Sequence, residues 1–355
     1  MFCVIMAGGK GTRFWPRSRA SMPKQLLDIT GARTMIQETV SRIAPLTGLH
    51  NIIIVTEKQH ADALRSQVPG IPEENIVVEP CGRNTAPCIC LAALIIRNRD
   101  PDDVMAVLPA DHHIADPESF RRCLTAACEA ARQTACLVTM GIRPTRPETG
   151  YGYMQLGQQA GSYGEQALYR VTAFHEKPSR EKALEFLDHG SFLWNSGMFV
   201  WTVAAIMEAM ERYVPDTYRI LCGAVPHLGS ADKATPLSDA YAAIRPVSVD
   251  CGIMEPAENV VAMKADFGWN DIGSWSALHD VLPRDNNGNA IRGNVIAVDS
   301  HNVLAHSPHK VTAVVGLDDI VIVDTEDALL VCAKDKAQDV KSVVEALEKK
   351  RAREL

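Results

Sequence analysis

The sequence predicts an α/β fold: a Rossmann-like, mainly parallel mixed sheet with helices on both faces, then a small β-rich C-terminal segment and a terminal helix. Three observations predict it. Short apolar runs alternate with longer amphipathic segments through roughly the first 140 of the 355 residues. The runs are apolar at nearly every position, as in strands buried on both faces, and do not alternate as strands with one wet face do. A turn-rich stretch at 283–289, Pro-Arg-Asp-Asn-Asn-Gly-Asn, then separates this region from shorter β-type runs.

In chain order, residues 2–7, 51–56, 75–79, 104–108 and 135–140 read as strands. Between them, residues 35–43, 61–67, 86–97 and 119–132 carry helical spacing. Strand–helix alternation implies parallel strands with crossover helices. Ligands in such sheets bind outside the carboxyl ends of the strands. Residues 8–13, 80–85 and 109–112 directly follow three of these strands, so they fall along one edge. Further on, 151–156 and 169–175 read as strands, and 180–187 and 203–213 as helices. Past the turn-rich stretch come β-type runs at 294–298, 311–315, 320–324 and 329–332. A last helix carries Val340, Val343, Val344 and Leu347 on one face. The expected division is 1–283 for a catalytic domain and 284–355 for the C-terminal segment.

Composition narrows the function. A net charge of -7 lacks the basic excess of general nucleic-acid binders. Any phosphate ligand must therefore be held by a local cluster of Lys, Arg and backbone N–H groups. The ten cysteines are scattered without a CxxC pair, which reads as reduced, mostly buried thiols. No leader-like start and no long apolar span is present, so the expectation is a soluble cytoplasmic protein without membrane partners.

After the first run comes Ala7-Gly8-Gly9-Lys10-Gly11-Thr12-Arg13. Glycines let the backbone approach a polyphosphate, and successive N–H groups attract an anion. Neither the dinucleotide spacing G-x-G-x-x-G nor the P-loop pattern is met, which argues against a nicotinamide-dependent dehydrogenase. Phe14-Trp15-Pro16-Arg17-Ser18-Arg19 and Met22-Pro23-Lys24-Gln25 follow. Together these residues resemble the nucleotide-sugar pyrophosphorylases, with their G-G-x-G-T-R-(L/F)-x-P and P-K signatures. The Trp before the proline and the Gln after the lysine are similar to the mannose-1-phosphate guanylyltransferase branch.

The resemblance implies roles. Arg13 and Lys24 would contact nucleotide phosphates, with Ala7, Gly8, Gly9, Gly11 and Thr12 forming the loop. Lys10 sits at a position that varies in the family. Glu79-Pro80-Cys81-Gly82-Arg83-Asn84-Thr85-Ala86-Pro87 resembles a stretch that lies against the nucleoside. A carboxylate suits guanine, whose N1–H and N2 amine are adjacent donors, so Glu79, Asn84 and Thr85 are the nucleoside candidates. Thr85 also suits the cap of the next helix. Asp111, in Leu108-Pro109-Ala110-Asp111-His112, and Asp271, in Trp269-Asn270-Asp271-Ile272-Gly273-Ser274-Trp275, match the two motifs whose carboxylates hold Mg²⁺. His112 reads as a support beside them. Gly152, Glu176, Lys177 and Asn195 fall in three further motifs that imply the sugar phosphate site. Asp250 either contacts the sugar or fixes its loop; Cys251 and Pro256 depart from the family pattern there.

The chemistry implied is transfer of GMP from GTP to mannose 1-phosphate by in-line attack on the α-phosphate. A phosphate oxygen is already ionised at neutral pH, so no general base is required. Alternatives are another base or sugar, or a catalytically inactive regulatory homologue. The C-terminal stretch 323–331 is similar to the end of the guanylyltransferases, where a short left-handed β-helix packs between subunits. A homodimer through that segment is therefore expected. Bifunctional relatives append an isomerase domain, and the expectation for this chain is a single activity.

Overall fold

The computed structural model describes residues 1–9, 11–225 and 234–350, with side chains omitted at 234–236. Lys10 lies outside the described residues.

Four parallel strands form one half of a nine-stranded sheet. They are β1 (Phe2–Met6), β2 (Ile52–Glu57), β3 (Ile76–Glu79) and β4 (Val104–Pro109). The crossovers are α1 (Met35–Thr47), α2 (Ala61–Gln67) and α3 (Thr85–Arg99). Side chains alternate across each strand, and the two cores record it. Cys3 and Ile5 pack towards α1, whereas Phe2 and Val4 pack towards α3. All four positions are buried, which is why the run reads as continuously apolar.

The second half of the sheet is mixed. The short β5 (His113–Ile114) precedes α4 (Pro117–Thr134) and β6 (Leu137–Ile142). A hairpin follows, β7 (Tyr153–Tyr163) and β8 (Gln166–His175), then α5 (Arg180–His189) and β9 (Phe192–Thr202). Helices α6 (Val203–Tyr213), α7 (Pro215–Ala224) and α8 (Ala234–Ala243) lead to β10 (Val260–Ala265). The short β11 (Trp269–Asn270) pairs with β5. Strand order is β3-β2-β1-β4-β9-β6-β10-β8-β7. Strand β9 thus lies antiparallel between β4 and β6, where the sequence shows only the motif around Asn195.

Helix α9 (Trp275–Val281) leads into a four-stranded C-terminal sheet. Its strands are β12 (Ala290–Val298), β13 (Leu304–Val315), β14 (Ile320–Asp324) and β15 (Leu329–Ala333). The first two pairings are parallel, although the connections are a few residues long. A flat parallel pair needs a crossover of a dozen or more residues, so consecutive strands here are stacked rungs of a β-helix-like coil. Asp299, Asn302 and Asp319 make the corners with positive φ. Gly293 has φ 96, and a Cβ there would collide with the Ser307 carbonyl of the next rung.

The terminal helix, α10 (Val340–Lys350), folds back towards the first loop. Val340 and Val344 join Phe14, Trp15 and Trp275 in one apolar cluster. Val343, expected on that face, is 38% exposed because the buried stripe runs through Val340, Val344 and Leu347. Among the described residues, no helix is long and apolar enough to cross a membrane. All ten cysteines are free, five of them buried.

Candidate active site

The loop after β1 is held by its carbonyls. Gln25 Nε2 donates to the Ala7 oxygen at 2.9 Å and to the Gly9 oxygen at 3.3 Å. Ser18 Oγ donates to the Gly11 oxygen at 2.7 Å. Gly11 has φ 58, and a Cβ there would lie 2.6 Å from Lys24 Cβ, so only glycine fits. Gly8 and Gly9 have open space where a side chain would stand, leaving the loop backbone accessible to a ligand. Gln25 is 3% exposed; its scaffolding role was hidden in the sequence, where it was only part of a signature.

Three chemically loaded residues meet beside this loop. Lys24, 4% exposed, donates from Nζ to Asp111 Oδ2 at 2.9 Å and to the Asp271 carbonyl at 2.6 Å. Asp111 and Asp271 line one open cavity of about 320 Å³ with Gly11, Thr12, Arg13 and Lys24. Burial pushes the Asp111 carboxyl up, but the Lys24 ammonium and its hydrogen bond, with smaller contributions from neighbouring groups, together hold it below the usual carboxylate range. His112 is pushed down to about 4 by burial, so it is neutral at physiological pH. Its Nδ1 accepts from Trp269 Nε1 at 3.1 Å, which ties the Asp111 motif to the Asp271 motif.

The donor set fits a hard divalent cation. Two carboxylates line the cavity together with His112, whose Nδ1 is committed to Trp269. Oxygen-only ligation with substrate phosphate and water completing the shell is the preference of Mg²⁺. Asp271 is itself fixed: Oδ1 accepts from the Tyr151 hydroxyl at 2.5 Å and from the Gly273 N–H at 3.0 Å. Tyr151 carried no assigned role in the sequence; only the fold shows what it touches.

A second cluster gathers the sugar-side candidates. The Asn195 N–H donates to the Gly152 oxygen at 2.8 Å, and a Cβ on Gly152 would lie 2.7 Å from Glu176 Oε2. Glu176 pairs with Lys177 at 2.9 Å. Much of Asn195 is already committed: Oδ1 accepts from Thr139 at 3.1 Å and the Gly197 N–H at 3.1 Å, while Nδ2 donates to Asp250 at 2.7 Å. Asp250 thereby fixes its loop. Burial and then the Glu176 carboxylate raise its pKa to about 6. Lys177 is 65% exposed and lines a cavity of about 500 Å³ with Arg13, Arg146, Tyr151 and Asp271. Arg13 therefore borders both cavities.

The nucleoside candidates form a third group. Asn84, at φ 71, caps α3 by accepting the Thr85 N–H at 2.8 Å. The cap is thus Asn84, not Thr85. The Thr85 hydroxyl instead accepts the Val249 N–H at 2.8 Å, pinning the segment before Asp250. Glu79 is 4% exposed and accepts from the Tyr241 hydroxyl at 2.8 Å. Burial, with a smaller push from Glu57, raises its pKa to about 7 despite that hydrogen bond. These residues do not line the Lys24 cavity. They connect to the sugar-side cluster through the chain from Val249 to Asp250.

Residues 2–288 match the nucleotidyl transferase family, and residues 293–347 match the MannoseP isomerase/GMP-like β-helix domain. The alginate biosynthesis protein AlgA of Pseudomonas putida is 37% identical over 98% of this chain and 72% of its own length. The mannose-1-phosphate guanylyltransferase of Escherichia coli is 35% identical over 97% of this chain and 75% of its own. A solved structure from Thermus thermophilus, described as a mannose-1-phosphate geranyltransferase, superposes with a TM-score of 0.87 at 34% identity. It covers 98% of this chain and 99% of that one. The chain belongs to the nucleotidyl transferase family, in the form that carries a GMP-like β-helix domain behind the transferase.

Proposed function

We propose that the chain transfers GMP from GTP to mannose 1-phosphate, giving GDP-mannose and pyrophosphate. The observation that carries this reading is the convergence of Lys24, Asp111 and the Asp271 backbone, far apart in sequence, on one cavity beside a glycine loop. The choice of guanine and mannose is supported by the relatives named as mannose-1-phosphate guanylyltransferases. Residues 1–283 act as the catalytic domain and 284–355 as its C-terminal segment in this reading.

Arg13 and Lys24 bind the nucleotide phosphates, with the backbone of Ala7, Gly8, Gly9, Gly11 and Thr12 cradling them. Asp111 and Asp271 would hold Mg²⁺, which supplies charge neutralisation on phosphate oxygens when bound. Glu79, Asn84 and Thr85 face the nucleoside. Gly152, Glu176, Lys177 and Asn195 receive the sugar phosphate, and Lys177 swings from Glu176 to the phosphate. The sugar phosphate oxygen attacks the α-phosphorus in line and pyrophosphate leaves. Positioning and electrostatic stabilisation account for the acceleration. A homodimer through the C-terminal sheet is supported by exposed Ile296, Val311, Val315, Leu329 and Val331.

The deciding experiment is pyrophosphate release with Mg²⁺, crossing GTP, ATP, UTP and dTTP against mannose, glucose and fucose 1-phosphates. Turnover confined to GTP with mannose 1-phosphate is expected. Another productive pair would overturn the specificity and keep the mechanism. No turnover by folded protein that binds nucleotide would leave the regulatory reading.

A further inference from the structure

One cation reaches the Lys24 cavity from the far end of the chain: Lys341, at the start of α10, is part of its lining. We propose that Lys341 binds the terminal phosphates of the nucleoside triphosphate, and pyrophosphate in the reverse direction, so that the C-terminal segment completes the nucleotide site. This rests on the nucleotidyl-transfer reading above.

Packing fixes the helix where such a role requires it. Val340 and Val344, 2% and 8% exposed, are buried with Phe14 and Trp15, which directly follow the glycine loop. Lys341 adjoins Val340, so its stem starts at the rim of the cavity while its side chain stays 60% exposed. Its local partner explains little. Glu345, one turn on, pairs with it at 3.3 Å, with both side chains more than half exposed. Pairs so exposed contribute little, and lysine preceding glutamate is the weaker orientation on a helix.

The cavity gives the lysine a stronger reason. Arg13, Lys24 and Lys341 face Asp111 and Asp271 there, and Lys24 is already tied to Asp111. Counting side chains alone, Arg13 and Lys24 balance Asp111 and Asp271, and Lys341 gives the lining its net positive charge. An exposed ammonium on a flexible four-carbon stem is suited to a phosphate chain as a point charge. A polyphosphate, with several negative charges, also outcompetes one exposed glutamate for it.

The test compares Lys341→Ala and Lys341→Arg in the full chain. For Lys341→Ala we expect KM for GTP, and for pyrophosphate in reverse, to rise about tenfold or more, as for one charge-assisted hydrogen bond. KM for mannose 1-phosphate and Tm should stay unchanged, and Lys341→Arg should recover most of the loss. Calorimetric titration adds a readout independent of turnover: Lys341→Ala should lose affinity for GTP and keep it for GMP. Wild-type KM and affinity for GTP in Lys341→Ala, or equal losses for GTP and GMP, would overturn the proposal. If the wild-type chain turned over no substrate pair, the transfer reading would fall, and the GTP-against-GMP comparison would still decide the role of Lys341.

Discussion

Lys24 and Asp111 form an ion pair of 2.9 Å in which the lysine side chain is 5% exposed. The same ammonium donates to the Asp271 carbonyl at 2.6 Å, so one buried cation joins two motifs distant in sequence. That placement keeps Asp111 ionised and leaves a positive charge already oriented beside the loop. Lys24→Ala should lower turnover about 10²–10³-fold, the loss typical of one preorganised electrostatic donor. Steady-state kinetics at saturating substrates decide it. Near-native turnover would remove Lys24 from the mechanism.

Tyr151 should tune the acid that it holds. Its hydroxyl donates to Asp271 Oδ1 at 2.5 Å, and the ring packs edge-on to Trp194 and Trp269 with centroids 5.2 Å away. Tyr151→Phe keeps that packing and deletes the hydrogen bond. In the proposed reading Asp271 holds Mg²⁺, and losing a partner that orients such a carboxylate typically costs 10–100-fold in metal affinity or activity. The Mg²⁺ concentration for half-maximal rate should therefore rise by about tenfold or more, with little change in Tm. An unchanged Mg²⁺ dependence would leave Tyr151 as a packing residue only.

What the sequence reveals and conceals follows from locality. Strands β1, β2, β4 and β6 were legible because both faces are buried, which writes a continuous apolar run into each. Helix starts were less legible: the helix expected from 119 begins at Pro117, capped by Asp116, whose side chain accepts the Ser119 N–H. Strand β9 was not legible, because insertion between β4 and β6 depends on partners distant in sequence. The site divides the same way. Lys24, Asp111 and Asp271 stood out by motif, and they do line one cavity. Motif reading could not show that Asn195 and Thr85 spend hydrogen bonds on Thr139, Asp250 and Val249. Nor could it show Gln25 bracing the loop or Tyr151 bracing Asp271, since both depend on where side chains land.

Glu79 should give two pH dependences of opposite sense. Its pKa rises from 4.5 to about 7 in the folded chain, chiefly through burial. A carboxyl raised in this way binds its proton more tightly folded than unfolded. Its stabilising contribution is complete below about 4.5 and is lost as pH rises through about 7. That loss is up to about 3 kcal/mol. Asp250, raised to about 6, slopes in the same direction, so the measurement is a difference. Urea unfolding at pH 5 and pH 8 should show a smaller pH effect in Glu79→Gln than in the wild type. In the proposed reading guanine binds the ionised Glu79 carboxylate, so GTP affinity of the wild type should instead improve as pH rises towards 7. Identical slopes in the two proteins would place the ionisation elsewhere.

Arg292 should hold the C-terminal sheet to the transferase core. Its Nη1 donates to the Asp28 and Ile29 carbonyls at 2.8 and 3.0 Å, and its Nη2 to the Gly31 carbonyl at 3.1 Å. Asp28 is meanwhile held by Arg17, whose guanidinium keeps its carboxyl below the usual range against the effect of burial. Three carbonyls of one loop thus depend on one guanidinium carried by β12. Arg292→Met keeps much of the stem and removes every donor, which should destabilise by about 2–4 kcal/mol, since hydrogen bonds to a charged group exceed neutral ones. Amide exchange in β12 to β15 should accelerate more than in β1 to β4, because the lost contacts lie between the two. A loss below about 0.5 kcal/mol, within the range of ordinary surface substitutions, would mean that the apolar cluster around Phe14 and Trp275 holds the segment without this arginine.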